Sequence, residues 1–311
     1  MPTIQFPPFL QSGDKIGIVA PASMVRYEDL LPGISLFRDE WKLNVVEGKT
    51  LKSSYNQFSA TDEDRLADLQ AMLDDPSIKA IIAARGGYGC SRIIDQLDFT
   101  DFIKSPKWLV GFSDLTVLLS QLYQLGYASV HAPMAKSITL EGAEKAAESL
   151  RSILFGELPG YSVSPHKLNR TGSAVAEIVG GNLCLLTHLI GSLTQIDTEG
   201  KILFIEDLNE YLYNLDRMMI QMKRAGKLSH LAGLIVGQFT EMKDNSNPSY
   251  GKTAYEIIHE HISEYDYPVT FNFPVGHVAD NRAICIGMNT FLDVNKEDVE
   301  LHFLSSAPTI I

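Results

Sequence analysis

Short apolar runs alternate with amphipathic stretches through the first half of the chain. Lys15–Ala20 (KIGIVA) reads as a strand stopped by Pro21, residues 27–41 have helical spacing, and a second short strand begins at Asn44–Val46. Thr61–Asp74 (TDEDRLADLQAMLD) opens on a threonine cap and early acids, then places Leu66, Leu69 and Leu73 on one helical face. Ala80–Ala84 and Trp108–Val110 are apolar enough to be buried strands, and Ser91–Leu97 and Leu115–Leu125 read as helices. Strands alternating with helices predict βαβ units and a parallel sheet.

From about Gly156 to Ser173 the pattern breaks, with Gly156, Pro159, Gly160, Pro165 and Gly172 scattered through polar sequence. This stretch is expected to be a linker between domains. Beyond it lie further strand signals at Lys201–Ile205, Gly233–Val236, Val269–Phe273 and Thr290–Val294. Between the first two, Leu212, Leu215, Met219 and Met222 recur at helical spacing over Tyr211–Ala225, with Gly226 as C-cap. The expected organisation is a parallel-sheet α/β domain over 1–155, a linker over 156–173 and a second α/β domain over 174–311.

A chain of 311 residues has room for two cores, and its net charge of −12 disfavours nucleic acid as a partner. The N-terminus lacks the basic and apolar regions of a secretory signal, and no apolar run approaches membrane-spanning length, so a cytoplasmic protein without a membrane partner is expected. Cys90, Cys184 and Cys285 are isolated, which predicts neither a disulfide framework nor a zinc site.

Ligands of open α/β sheets bind beyond the carboxyl ends of the strands, so polar residues just past strands carry the candidate chemistry. Ser113 follows Trp108-Leu-Val-Gly-Phe on a strand-to-helix turn. It reads as an exposed nucleophile, whose neighbour's amide can face an oxyanion, or as a helix cap. Only half of a G-x-S-x-G elbow is present, with Leu115 at the second glycine. Arg85-Gly-Gly-Tyr-Gly89 joins a strand to a helix and can be a backbone nest for a carboxylate or oxyanion, a phosphate site or a tight turn; it lacks the third dinucleotide glycine and the P-loop lysine. Glu206 and Asp207 follow a buried strand, and His277 ends Phe273-Pro-Val-Gly. A histidine there suits proton transfer near neutral pH. Asn182 in Val179-Gly-Gly-Asn-Leu183 can cap a helix or bond a substrate, and His131 competes as the base. His259 and His261 do not share a helical face. The order Ser…Glu…His also occurs in α/β-hydrolases. With the serine in one expected domain and the acid and base in the other, the site is expected in an interdomain cleft.

These segments, together with the opening Gly13-Asp-Lys-Ile-Gly-Ile-Val-Ala-Pro-Ala-Ser23, resemble the LD-carboxypeptidases, or muramoyltetrapeptide carboxypeptidases. That serine peptidase family includes the microcin C immunity peptidases, and the likeness runs through Gly111-Phe-Ser-Asp114, Ile205-Glu-Asp207 and Pro274-Val-Gly-His277. The resemblance implies a Rossmann-like N-terminal domain, a smaller mixed C-terminal one, and a triad of Ser113, Glu206 and His277. It implies an oxyanion hole from the Asp114 amide and that of Gly86 or Gly87. It further implies a metal-free cytoplasmic homodimer that removes D-alanine from murein tetrapeptide at an L–D bond. Arg85 is then a reasonable grip for the substrate's terminal carboxylate. A peptidyl or aminoacyl nucleotide as substrate, or ligand binding without catalysis, are the alternatives.

Overall fold

The computed structural model describes residues 4–304. The chain forms two compact units: one runs to Glu157 and adds Ala279–Cys285, while the other is Leu158–Val278 and resumes at Ile286.

The first unit is built on β1 (Lys15–Val19), β2 (Asn44–Glu47), β3 (Ile78–Ala83), β4 (Trp108–Gly111) and β5 (Ser129–His131). These pair in parallel in the order 2-1-3-4-5. This is a doubly wound order, and the strand order reverses at the crevice between β1 and β3. The central strands are almost wholly buried, which matches their continuous apolar runs. The sheet has a sixth strand, which the chain adds only near its end.

Around this sheet stand α1 (Leu31–Ser35), α2 (Asp62–Asp74), α3 (Thr100–Lys104), α4 (Thr116–Gln124) and α5 (Glu144–Phe155). In α2 the Thr61 hydroxyl accepts from the Asp64 amide, as the sequence predicts. Two expected helices differ. Residues 27–41 change winding twice, from a 3-10 turn to α1 to a π turn, where Pro32 and Gly33 enter early. Ser91–Leu97 is two 3-10 turns, because Asp114 holds the Cys90 amide and Gly89 enters at φ 146°.

The second unit contains β6 (Gly160–Val163), β7 (Gly172–Asn182), β8 (Ile202–Leu208), β9 (Gly233–Thr240) and β10 (Val269–Thr270). After β11 (Ile284–Ile286), β12 (Asn289–Val294) and β13 (Val299–Phe303) complete it, in the order β10-β9-β8-β7-β12-β13-β6. Pairing is parallel from β10 to β7 and antiparallel from β7 to β6, a mixed sheet. β7 is long enough to serve both halves. Its helices are α6 (Leu183–His188), α7 (Leu212–Arg224) and α8 (Ala254–Ile262).

The stretch expected as a linker is thus partly sheet: residues 160–163 pair with β13, and only a loop separates them from β7. Alternation there is too short to stand out among glycines and prolines. β11 meanwhile lies beside β5 in the first unit's sheet, so the domain expected over 174–311 is interrupted; its residues 305–311 lie outside the described ones.

Candidate active site

In the first unit, β4 ends at Gly111 and Ser113 begins a 3-10 turn that leads into α4. Ser113 has φ 63°, in the left-handed region. A non-glycine residue there costs on the order of 1 kcal/mol or more and is kept where the surroundings impose it. Ser113 is the N-cap of neither segment: those positions belong to Phe112 for the turn and Leu115 for α4. That removes the capping alternative. Gly111 is required because a Cβ there would stand 2.6 Å from the Leu115 side chain. Leu115 packs back over the strand end, so the elbow needs only its first glycine.

The Arg85–Gly89 loop follows β3 and lies against this elbow. A Cβ on Gly86 would stand 3.0 Å from Ser113 Cβ and 3.2 Å from its Oγ, so the absence of a side chain admits the serine. Three groups hold the loop. The Asp114 carboxylate, buried itself, accepts from the Cys90 amide at 2.8 Å, and burial raises its pKa. Arg65, fully buried, donates to the carbonyls of Gly89 (3.0 Å) and Pro21 and pairs with Asp62. Ser23 accepts from the Tyr88 amide at 3.1 Å. Arg85 is exposed and donates to the Met24 carbonyl at 2.9 Å.

In the second unit, Glu206 lies within β8 rather than after it, opposite Asn182 of β7. The pairing with β9 slips between Ile205 and Asp207, which bends the strand at the glutamate. Glu206 is fully buried, and its Oε2 stands 2.7 Å from Nδ1 of His277. Burial pulls the imidazole pKa down. The Glu206 charge and hydrogen bond, with Asp207 and Glu241, outweigh it and leave His277 raised. The turn carrying the histidine is fastened by Gln238, which donates its amide to Val275 and its side chain to Phe273. Gly276 at φ 124° closes over the carboxylate; a Cβ there would stand 2.8 Å from Glu206 Cβ.

Asp207 accepts from Asn182, from the Cys184 amide and from its neighbour Leu208, and burial, aided by Glu206, raises it to about 7. Asn182 accepts from the Leu185 amide. Its amide is therefore committed to the start of α6 and to Asp207, the capping alternative. His131 lies buried inside β5, its ring 5.7 Å from that of Phe112. His261 pairs with Asp216, and His259 lies against Phe271. No group of three metal-ligating side chains occurs among the described residues.

Each unit therefore gathers its own part: Ser113 with the glycine loop in the first, Glu206 with His277 in the second. Sequence reasoning missed the holders, Ser23, Arg65 and Gln238. Ser23 carries the same signal as Ser113, a polar residue just beyond a strand. A buried arginine amid acids carries none.

Residues 16–132 match the LD-carboxypeptidase N-terminal domain, and residues 175–292 match the C-terminal domain. A probable murein peptide carboxypeptidase of Bacillus subtilis is 36% identical over 293 residues, 91% of each chain. The murein tetrapeptide carboxypeptidase of Pseudomonas aeruginosa is 30% identical, over 91% of this chain and 94% of that one. Among solved structures, a muramoyltetrapeptide carboxypeptidase from Oxalobacter formigenes superposes with TM-score 0.85 at 26% identity, over 94% of this chain and all of that one. The microcin C7 self-immunity protein MccF has the same TM-score at 20% identity, over 98% of this chain and all of that one, a likeness of fold.

Proposed function

The chain belongs to the LD-carboxypeptidase family, and from that membership we propose a serine-type peptidase that releases terminal D-alanine from murein tetrapeptide by cutting an L–D bond. The observation that carries the reading is the buried carboxylate of Glu206 at 2.7 Å from His277 Nδ1. A carboxylate on Nδ1 fixes the tautomer in which Nε2 accepts a proton, and it stabilises the imidazolium that results.

In the proposed reaction Ser113 Oγ attacks the scissile carbonyl while His277 Nε2 takes its proton. The Asp114 amide and one amide of Gly86 or Gly87 hold the oxyanion. His277 then protonates the departing amine of D-alanine, and a water molecule deprotonated by His277 resolves the acyl-enzyme to restore Ser113. The exposed Arg85 guanidinium grips the terminal carboxylate of the peptide. Asn182 serves this site by orienting Asp207 beside Glu206. The enzyme works as a cytoplasmic homodimer, and no step calls for a metal.

A nucleotide substrate would need an aromatic face for its base. Trp108 is buried on Phe9 with its indole donating to the Pro8 carbonyl, and Trp41 is buried beside Phe37, which favours the murein peptide. The test is mass spectrometry of murein tetrapeptide and of a peptidyl nucleotide, each incubated with the protein. Loss of one alanine from the tetrapeptide is expected. Ser113→Ala should lower kcat on the order of 10⁴–10⁶-fold with the fold intact. An unchanged tetrapeptide overturns the substrate assignment, and an active Ser113→Ala protein overturns the nucleophile.

A further inference from the structure

We infer that Ser23 is the positioning residue of the oxyanion loop, and that the amide it turns toward Ser113 is that of Gly87. The inference rests on Ser113 being the nucleophile. Ser23 follows β1 and the glycine loop follows β3, the two sides of the crevice where the strand order reverses.

Two bonds tie them together. The Ser23 amide donates to the Gly86 carbonyl at 3.2 Å, and the Ser23 hydroxyl accepts from the Tyr88 amide at 3.1 Å. Ser23 thus holds the two peptides that flank Gly87, the Gly86–Gly87 peptide by its carbonyl and the Gly87–Tyr88 peptide by its N–H. In a trans peptide the N–H points opposite to the preceding carbonyl. With the Gly86 carbonyl on Ser23, the Gly87 N–H points away from Ser23. Ser113 is packed close against Gly86, since a Cβ built on that glycine would stand 3.0 Å from Ser113 Cβ and 3.2 Å from Oγ. Turned away from Ser23 and next to a glycine packed against Ser113, the Gly87 amide is the donor assigned to the oxyanion. Gly87 itself, at φ 107°, admits no side chain, because a Cβ would run into the Ser23 hydroxyl.

Ser23 touches neither the substrate nor the reacting atoms in this account. Its hydroxyl acts through an amide that matters only when negative charge develops, so its loss should appear in kcat and not in KM. Losing an oxyanion donor outright costs about 10²–10³ in kcat, and a misaligned donor costs less. Ser23→Ala keeps the amide bond to Gly86 and removes the hydroxyl clasp on Tyr88.

The experiment compares wild type, Ser23→Ala, Ser23→Thr and Ser113→Ala. Two readouts are taken per folded molecule: tetrapeptide kinetics and the rate of covalent inactivation by a fluorophosphonate, whose phosphoryl oxygen occupies the oxyanion position. Ser23→Ala should fall about tenfold in kcat and in inactivation rate, with KM within about twofold. Ser23→Thr, which keeps a hydroxyl, should recover most of both. A Ser23→Ala protein that inactivates at the wild-type rate, or a Ser23→Thr protein equally impaired, overturns the inference. Covalent labelling of Ser113→Ala at the wild-type rate would instead overturn the nucleophile reading. In a crystal structure of the phosphonylated enzyme the phosphoryl oxygen should accept from the Gly87 amide; a bond to the Gly86 amide in its place overturns the assignment of the donor.

Discussion

Replacing Gly276 by alanine tests whether the acid–base pair is held by the turn beneath it. The glycine stands at φ 124°, where an alanine costs about 1–3 kcal/mol in backbone strain. Its methyl would lie 2.8 Å from Glu206 Cβ and 2.9 Å from Oε2, the oxygen that meets His277. Ordinary carbon contacts begin at about 3.5 Å, so the carboxylate must withdraw by roughly 0.7 Å. A displacement near 1 Å at a reacting group costs on the order of 10² in rate, about 2.7 kcal/mol. Alanine release should be followed by liquid chromatography with mass detection, alongside a thermal melt. The expected result is a kcat about 10²-fold lower, a nearly unchanged KM and a Tm lower by roughly 2–12 °C. A variant with the lowered Tm but kcat within about threefold of wild type would refute the reasoning, because strain would then be felt without any effect on the pair.

The raised pKa of His277 places the acid limb of kcat/KM above the ordinary histidine value of 6.5, since the base works in its neutral form. Glu206→Gln should lower kcat on the order of 10²–10⁴-fold and move that limb to lower pH, because the largest influence opposing burial is then gone and only Asp207 and Glu241 remain; a limb that stays in place refutes the pairing. The same imidazolium pair contributes stability that is complete below the unfolded-state value and is lost as pH rises through the folded one, which melts of wild type and Glu206→Gln across that window should separate. Lys107, fully buried, donates to the carbonyls of Met72, Leu73 and Asp75 at the end of α2. Lys107→Met should cost about 1–3 kcal/mol in urea unfolding and leave kcat alone. Because burial holds Lys107 at about 8 against 10.5 when unfolded, the wild type's advantage should widen as pH rises from 8; a difference that is flat from about pH 7.5 to 9.5 counts against it.

The first unit was more legible than the second. Runs such as Ala80–Ala84 and Trp108–Val110 are buried on both faces of a parallel sheet and stand out as apolar blocks. β13 instead alternates along its length and β6 is short, and both pair antiparallel, so neither stands out as an apolar block. Glu206 was expected past its strand because a charge rarely sits in a buried run; the bend at Asp207 and the histidine partner are what allow it. Ser113 was visible as a residue on a turn. Its left-handed backbone was not, because the Leu115 side chain that enforces the bend acts through packing over Gly111. Long-range holders such as Arg65 on Gly89 bridge 24 residues and leave no local spacing to read.

β11 has a consequence for anyone wishing to separate the two units. A fragment cut after Glu157 keeps the first five strands but leaves β5 an open edge without β11, and it exposes the Ser149 hydroxyl that accepts from the Ala283 amide. The complementary fragment keeps all seven strands of its own sheet, yet carries an orphan loop with the buried Ile284 and Cys285, directly downstream of the histidine turn. Neither piece is a self-sufficient module. An exchange of halves between relatives would therefore have to carry residues 279–285 along with the N-terminal half.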